Sequence, residues 1–109
     1  MTAHRYETYG WKTAGLDSVA GAVEKALSIQ FEPRSSLYRG EHYRWHGEDR
    51  ADILIQENFI EEDDGLPTDD EHPDHLVLLH ASRLPDEWFR RLARVPGAER
   101  LTSTVMPEP

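Results

Sequence analysis

Residues 61–74 read EEDDGLPTDDEHPD, and no folded interior accepts such a stretch. It carries eight carboxylates, Glu61, Glu62, Asp63, Asp64, Asp69, Asp70, Glu71 and Asp74, with no Lys or Arg among them. Burying unpaired carboxylates is far too costly for folding to tolerate. Gly65, Pro67 and Pro73 also oppose regular structure. The flanks are the reverse: ILIQENFI (53–60) precedes the stretch and HLVLLHAS (75–82) follows it. The fold must therefore end two apolar strands at its surface and leave an acidic link outside.

The remaining segments alternate in period. His4–Tyr9 spaces its aromatics as a short strand does, and Gly10–Gly15 reads as a loop. Trp11 in that loop is expected to be the most exposed of the large aromatics. Asp17 is placed to cap a helix, in which Leu16, Val19, Ala20, Val23, Ala26 and Leu27 share one face. Ile29–Glu32 alternates as a strand that Pro33 is expected to interrupt.

Ser35–Arg39 and His42–His46 read as a hairpin turning at Gly40-Glu41, with Gly supplying positive φ. That register sets Tyr38 opposite Tyr43 and Ser36 opposite Trp45 on the core side. Leu37, Arg39, His42, Arg44 and His46 fall on the other side, as a largely cationic stripe. Asp52–Phe59 is a strand with Ile53, Ile55 and Phe59 inward and Asp52, Gln56 and Asn58 outward. His75–Ala81 is apolar enough for a central strand covered on both faces. A second helix starts near Pro85, with Trp88, Phe89, Leu92 and Val95 on its apolar side and Arg90, Arg91 and Arg94 outward. Asp86–Arg90 and Glu87–Arg91 are spaced as ion pairs. Pro96-Gly97 ends the helix, Leu101–Met106 is a last strand, and 107–109 a frayed tail. The order β-α-β-β-β-β-α-β gives a two-layer α+β domain over 1–109, with about five to six mostly antiparallel strands and two helices. It is a ferredoxin-like variant with an inserted hairpin; a split barrel is the alternative.

At 109 residues the chain is long enough for one domain without staples. It has no cysteine, hence no disulfide framework. No apolar run follows Met1, so neither signal peptide nor membrane span is expected, and the compartment expected is the cytoplasm. The formal charge of -9, 21 acids against 12 bases, argues against nucleic acid and anionic membrane as partners and favours a basic one. Ten of the twelve bases are Arg, a bias that resembles bacterial chains.

Site motifs are weak. Aligning 60–71 with a calcium loop puts Glu62, Asp64, Gly65 and Glu71 at suitable positions, but Ile60 stands where the first oxygen ligand belongs. His72 and His75 flank Pro73-Asp74, and Pro73 opposes the helix that would bring both onto one metal. His42 and His46, four apart on a strand, are too far apart to share one. No serine has a nucleophile context, and no phosphate or dinucleotide loop occurs. The expectation is a non-enzymatic chain with no metal and no cofactor.

The segments LYRGEHYRW (37–45), ILIQENFIEEDDGLP (53–67) and HPDHLVLL (72–79) resemble the small acidic immunity proteins of bacterial polymorphic toxin systems. They cover about a third of the chain. The resemblance implies cytoplasmic binding of a cognate basic toxin domain and blockage of its active site. The charge reading agrees, because clustered carboxylates steer a basic partner. The residues expected to contact it are the eight acids of the link. The alternative function is a small-ligand or metal-binding regulatory domain with a pocket between sheet and helices.

Overall fold

A computed structural model describes residues 3–36, 40–58 and 74–107. The elements are β1 (Ala3–Trp11), α1 (Leu16–Leu27), β2 (Glu32–Ser36), β3 (Gly40–His46), β4 (Asp52–Glu57), β5 (Val77–Ser82), α2 (Asp86–Ala93) and β6 (Glu99–Pro107), with a 3-10 turn at Glu48–Arg50 before β4. The six strands form one sheet in the order β2-β3-β4-β5-β1-β6. Every neighbouring pair is antiparallel. This is the expected α+β class and element order. The last strand lies beside the first and the β2–β3 hairpin extends the far edge, as in a ferredoxin-like plan with an added hairpin.

Period-2 alternation sends Tyr9, Trp11, Ile53, Ile55, Val77, Leu79 and Ala81 to one face of the sheet. There they meet Leu16, Val19, Val23 and Leu27 of α1 and Phe89 and Leu92 of α2 in a single core. Trp45 of β3 packs on Trp88 of α2, ring centroids 5.2 Å apart. Arg5 of β1 lies over the ring of the next residue of α2, Phe89, at 5.7 Å, a cation–π contact.

Several expectations are corrected. Trp11 is not exposed: it ends β1, is 1% accessible, and its Nε1 donates to Pro96 O at 3.0 Å. Gly10 belongs to the strand. A Cβ there would meet the His75 ring at 2.7 Å and Leu101 at 2.9 Å, so the glycine marks a close approach rather than a loop. Asp17 does not cap α1, whose N-cap is Gly15; in the first turn it accepts a bond from Tyr43 Oη at 2.6 Å. Pro33 does not stop a strand. It lies inside β2, and β2 is an edge strand, where a missing N–H is tolerated.

The hairpin exists, but β2 and β3 are joined through 37–39 rather than at Gly40-Glu41. Ser36 pairs with Gly40, and Tyr43 faces Pro33 instead of Tyr38. Tyr43 and Trp45 still pack against the core, as the alternation required. His42, Arg44 and His46 share the face away from the core, as expected, but they do not make an open cationic stripe. His42 is buried, and Arg44 and His46 both pair with Asp52. Leu37, Tyr38, Arg39 and Phe59 lie outside the described residues. In α2, Glu87–Arg91 pairs at 2.9 Å, whereas Asp86 meets Arg5 at 3.5 Å rather than Arg90. β6 is longer than expected at both ends, and Pro107 pairs with Ala3.

Candidate partner-binding site

β4 and β5 are adjacent central strands, and their last pair is Glu57 with Val77. The acidic link joins these two ends, which strand pairing holds about 5 Å apart. Asn58 fastens the junction. It is fully buried; its backbone N–H donates to Leu76 O at 2.8 Å and its side-chain amide to His75 O at 2.9 Å. Leu76 N–H in turn donates to Trp11 O at 2.8 Å, tying the junction to β1. Asn58 was expected to face outward, and nothing in its sequence context reveals this role. The one available signal was a polar residue between an apolar strand and a run of acids.

Of the eight candidate acids, Asp74 is described and is exposed. Glu61, Glu62, Asp63, Asp64, Asp69, Asp70 and Glu71 lie outside the described residues, as do the calcium-loop alignment and His72. Beside Asp74, Leu76 is 45% accessible and so offers apolar surface at the foot of the link. Glu57 is exposed at the same end. His75 is buried over Gly10, with Nε2 3.2 Å from Glu99 Oε2. Glu99 also meets Lys12 at 3.8 Å. Among the described residues no group of three or more His, Asp or Glu is placed to hold a metal ion.

Away from the helices the sheet presents three cross-strand rows set by the registers. His46, Asp52, Ser82, Tyr6 and Thr104 form the first. Arg44, Leu54, His80, Thr8 and Thr102 form the second. The third runs from His42 through Gln56 and Leu78 to Gly10. His80 is held on both ring nitrogens: Gln56 Nε2 lies 3.3 Å from Nε2, and Thr8 Oγ1 3.3 Å from Nδ1. An amide nitrogen only donates, so in neutral His80 Nε2 accepts and Nδ1–H donates to Thr8.

On the helix side, buried Glu7 accepts bonds from Tyr9 Oη and from Ser103 Oγ, the latter at 2.7 Å, and Arg100 stands 3.9 Å away. Burial, and then the bond to Glu7, hold the Tyr9 hydroxyl well above its ordinary range. This cluster serves the core. It joins β1 to β6 beneath α2, with Phe89 O 3.3 Å from Tyr9 Oη.

No family model matches the chain. No curated protein matches it in sequence.

Proposed function

We propose that this protein is a non-enzymatic inhibitor of the immunity type, which binds a basic protein domain through its acidic link. The observation that carries the reading is where the charge lies. Removing the eight acids of 61–74 from the 21 in the chain leaves 13 acids against 12 bases, a net charge near -1. The protein is thus an almost neutral domain bearing one strongly negative segment. A chain acidic only for solubility would gain as much from acids spread over its surface. The segment connects two central strands whose junction is fastened by buried Asn58. Exposed Leu76 supplies apolar contact next to that charge. Carboxylates accelerate encounter and pair with Arg and Lys, while apolar anchors slow dissociation.

A basic nuclease-like toxin domain in the cytoplasm is the partner this chemistry suits, because an acidic segment can occupy a groove shaped for phosphates. No helix among the described residues is long and apolar enough to cross a membrane. The test is affinity capture on the tagged protein at low ionic strength, followed by mass spectrometry. A basic protein should be retained and should elute as salt rises. Retention of only acidic or neutral proteins, unaffected by salt, would contradict the proposal. The alternative, a small-ligand or metal-binding regulatory domain, expects a pocket between sheet and helices, whereas a cavity opens on the opposite, polar face.

A further inference from the structure

We infer that the polar face of the sheet carries a binding pocket for a small, neutral, hydroxyl-rich molecule. The inference stands apart from the acidic link and holds whether or not that link binds a protein. A cavity of about 250 Å³ opens there, on the side of the sheet opposite the helices. Its size is just below the usual range for ligand pockets of roughly 300–1,000 Å³, which limits the occupant to one ring or a short chain.

Five hydroxyls line it, from Tyr6, Thr8, Ser82, Thr102 and Thr104, brought from three strands by the register. Leu54 gives it an apolar floor. Two acids are in its lining: the Glu7 carboxylate is engaged by Tyr9 and Ser103 on the helix side, and Asp52 is already balanced. Arg44 meets it with Nε 3.3 Å from Oδ1 and one terminal nitrogen 3.1 Å from Oδ2, and His46 Nδ1 stands 3.2 Å from Oδ1. With that charge spent on Arg44, neither a cation nor an anion finds an unmatched countercharge in the cavity.

Proton placement adds direction. Thr8 accepts from His80, so its own hydroxyl proton is left to donate into the cavity. Tyr6 accepts from Arg83 Nε at 3.3 Å and keeps its proton in the same way. The cavity thus presents fixed donors beside hydroxyl oxygens that accept. A ligand whose groups both donate and accept, without net charge, satisfies this set; vicinal hydroxyls of a sugar or cyclitol do so.

The test is saturation-transfer NMR on the full chain with three probes, D-glucose, D-ribose and myo-inositol, and with methylguanidinium as a cationic comparison. At least one neutral probe should saturate, with a dissociation constant on the order of 1 mM, and should shift the His80 ring proton signals. Thr8→Val together with Thr102→Val should weaken that binding roughly 10-fold or more, by removing a donor and an acceptor. Lys25→Ala, on α1, should leave it unchanged. Should the double variant unfold, Ser82→Ala takes its place with the same expectation. The proposal is overturned if no neutral probe saturates at concentrations roughly tenfold above that constant. It is equally overturned if binding survives the hydroxyl deletions. Saturation by methylguanidinium alone would assign the cavity to an arginine side chain and refute the neutral ligand.

Discussion

Tyr9 and Glu7 give the core a pH dependence whose sign is fixed by their arrangement. The Tyr9 hydroxyl is held above its ordinary value near 10, by burial first and by the bond to Glu7 second. The folded state therefore keeps the neutral phenol, while the unfolded chain ionises once pH passes about 10. This contribution is fully present below that pH and is lost as pH climbs toward the folded value. Thermal unfolding followed from pH 8 to 11 should show a falling midpoint above about pH 10. Tyr9→Phe should make that fall shallower. It should also cost roughly 1–3 kcal/mol at neutral pH, because buried Glu7 loses a donor. A parallel alkaline profile in the variant would remove Tyr9 from the account. Asn58→Ala should cost about 1–3 kcal/mol as well, since His75 O loses its partner; a chemical melt within error of wild type would show that the clasp is dispensable. Neither role was legible in the sequence. Glu7 and Ser103, or Asn58 and His75, are brought together only by pairing between distant strands, and residue type alone does not name a partner. Trp11 shows the converse error. Gly10 was read as a loop signal when it marks the place where the His75 ring presses on β1.

The elements themselves were largely legible, because strand alternation and helix periodicity follow from which face is buried. α1, α2, β4 and β5 lie close to where their apolar patterns placed them. The misplaced features share a cause: each was assigned from a local breaker without knowing the neighbours of its strand. Pro33 is compatible with β2 only because β2 is an edge. Gly40 is a strand residue, paired with Ser36 across the hairpin. The alternation places Arg44 and His46 on the polar face correctly but does not reveal their partner Asp52, which lies on the next strand. The two faces of α2 differ in energetic weight. Leu92 is fully buried, so Leu92→Ala should destabilise by about 2–5 kcal/mol in a urea melt. Glu87→Gln breaks an exposed pair and should change stability by at most about 0.5 kcal/mol. Comparable losses for the two would mean that α2 is not anchored by its apolar side.

At the scale of the whole molecule the governing fact is electrostatic. A nearly neutral two-layer domain carries, between β4 and β5, a fourteen-residue segment with eight carboxylates. Carboxylates that stay in solvent contribute little to folding. The segment's proposed contribution is to encounter, where charge acts across a screening length of about 10 Å at 0.1 M salt and about 3 Å at 1 M. The most direct measurement is the association rate of the captured partner with the wild-type protein and with a variant carrying Asp63→Asn, Asp64→Asn, Asp69→Asn and Asp70→Asn. It should be made by stopped flow across that salt range. The wild-type rate should fall steeply with salt, and the variant should associate roughly 10-fold or more slowly at low salt while melting at nearly the same temperature. An unchanged rate and affinity for the four-Asn variant would contradict the proposed role of the link.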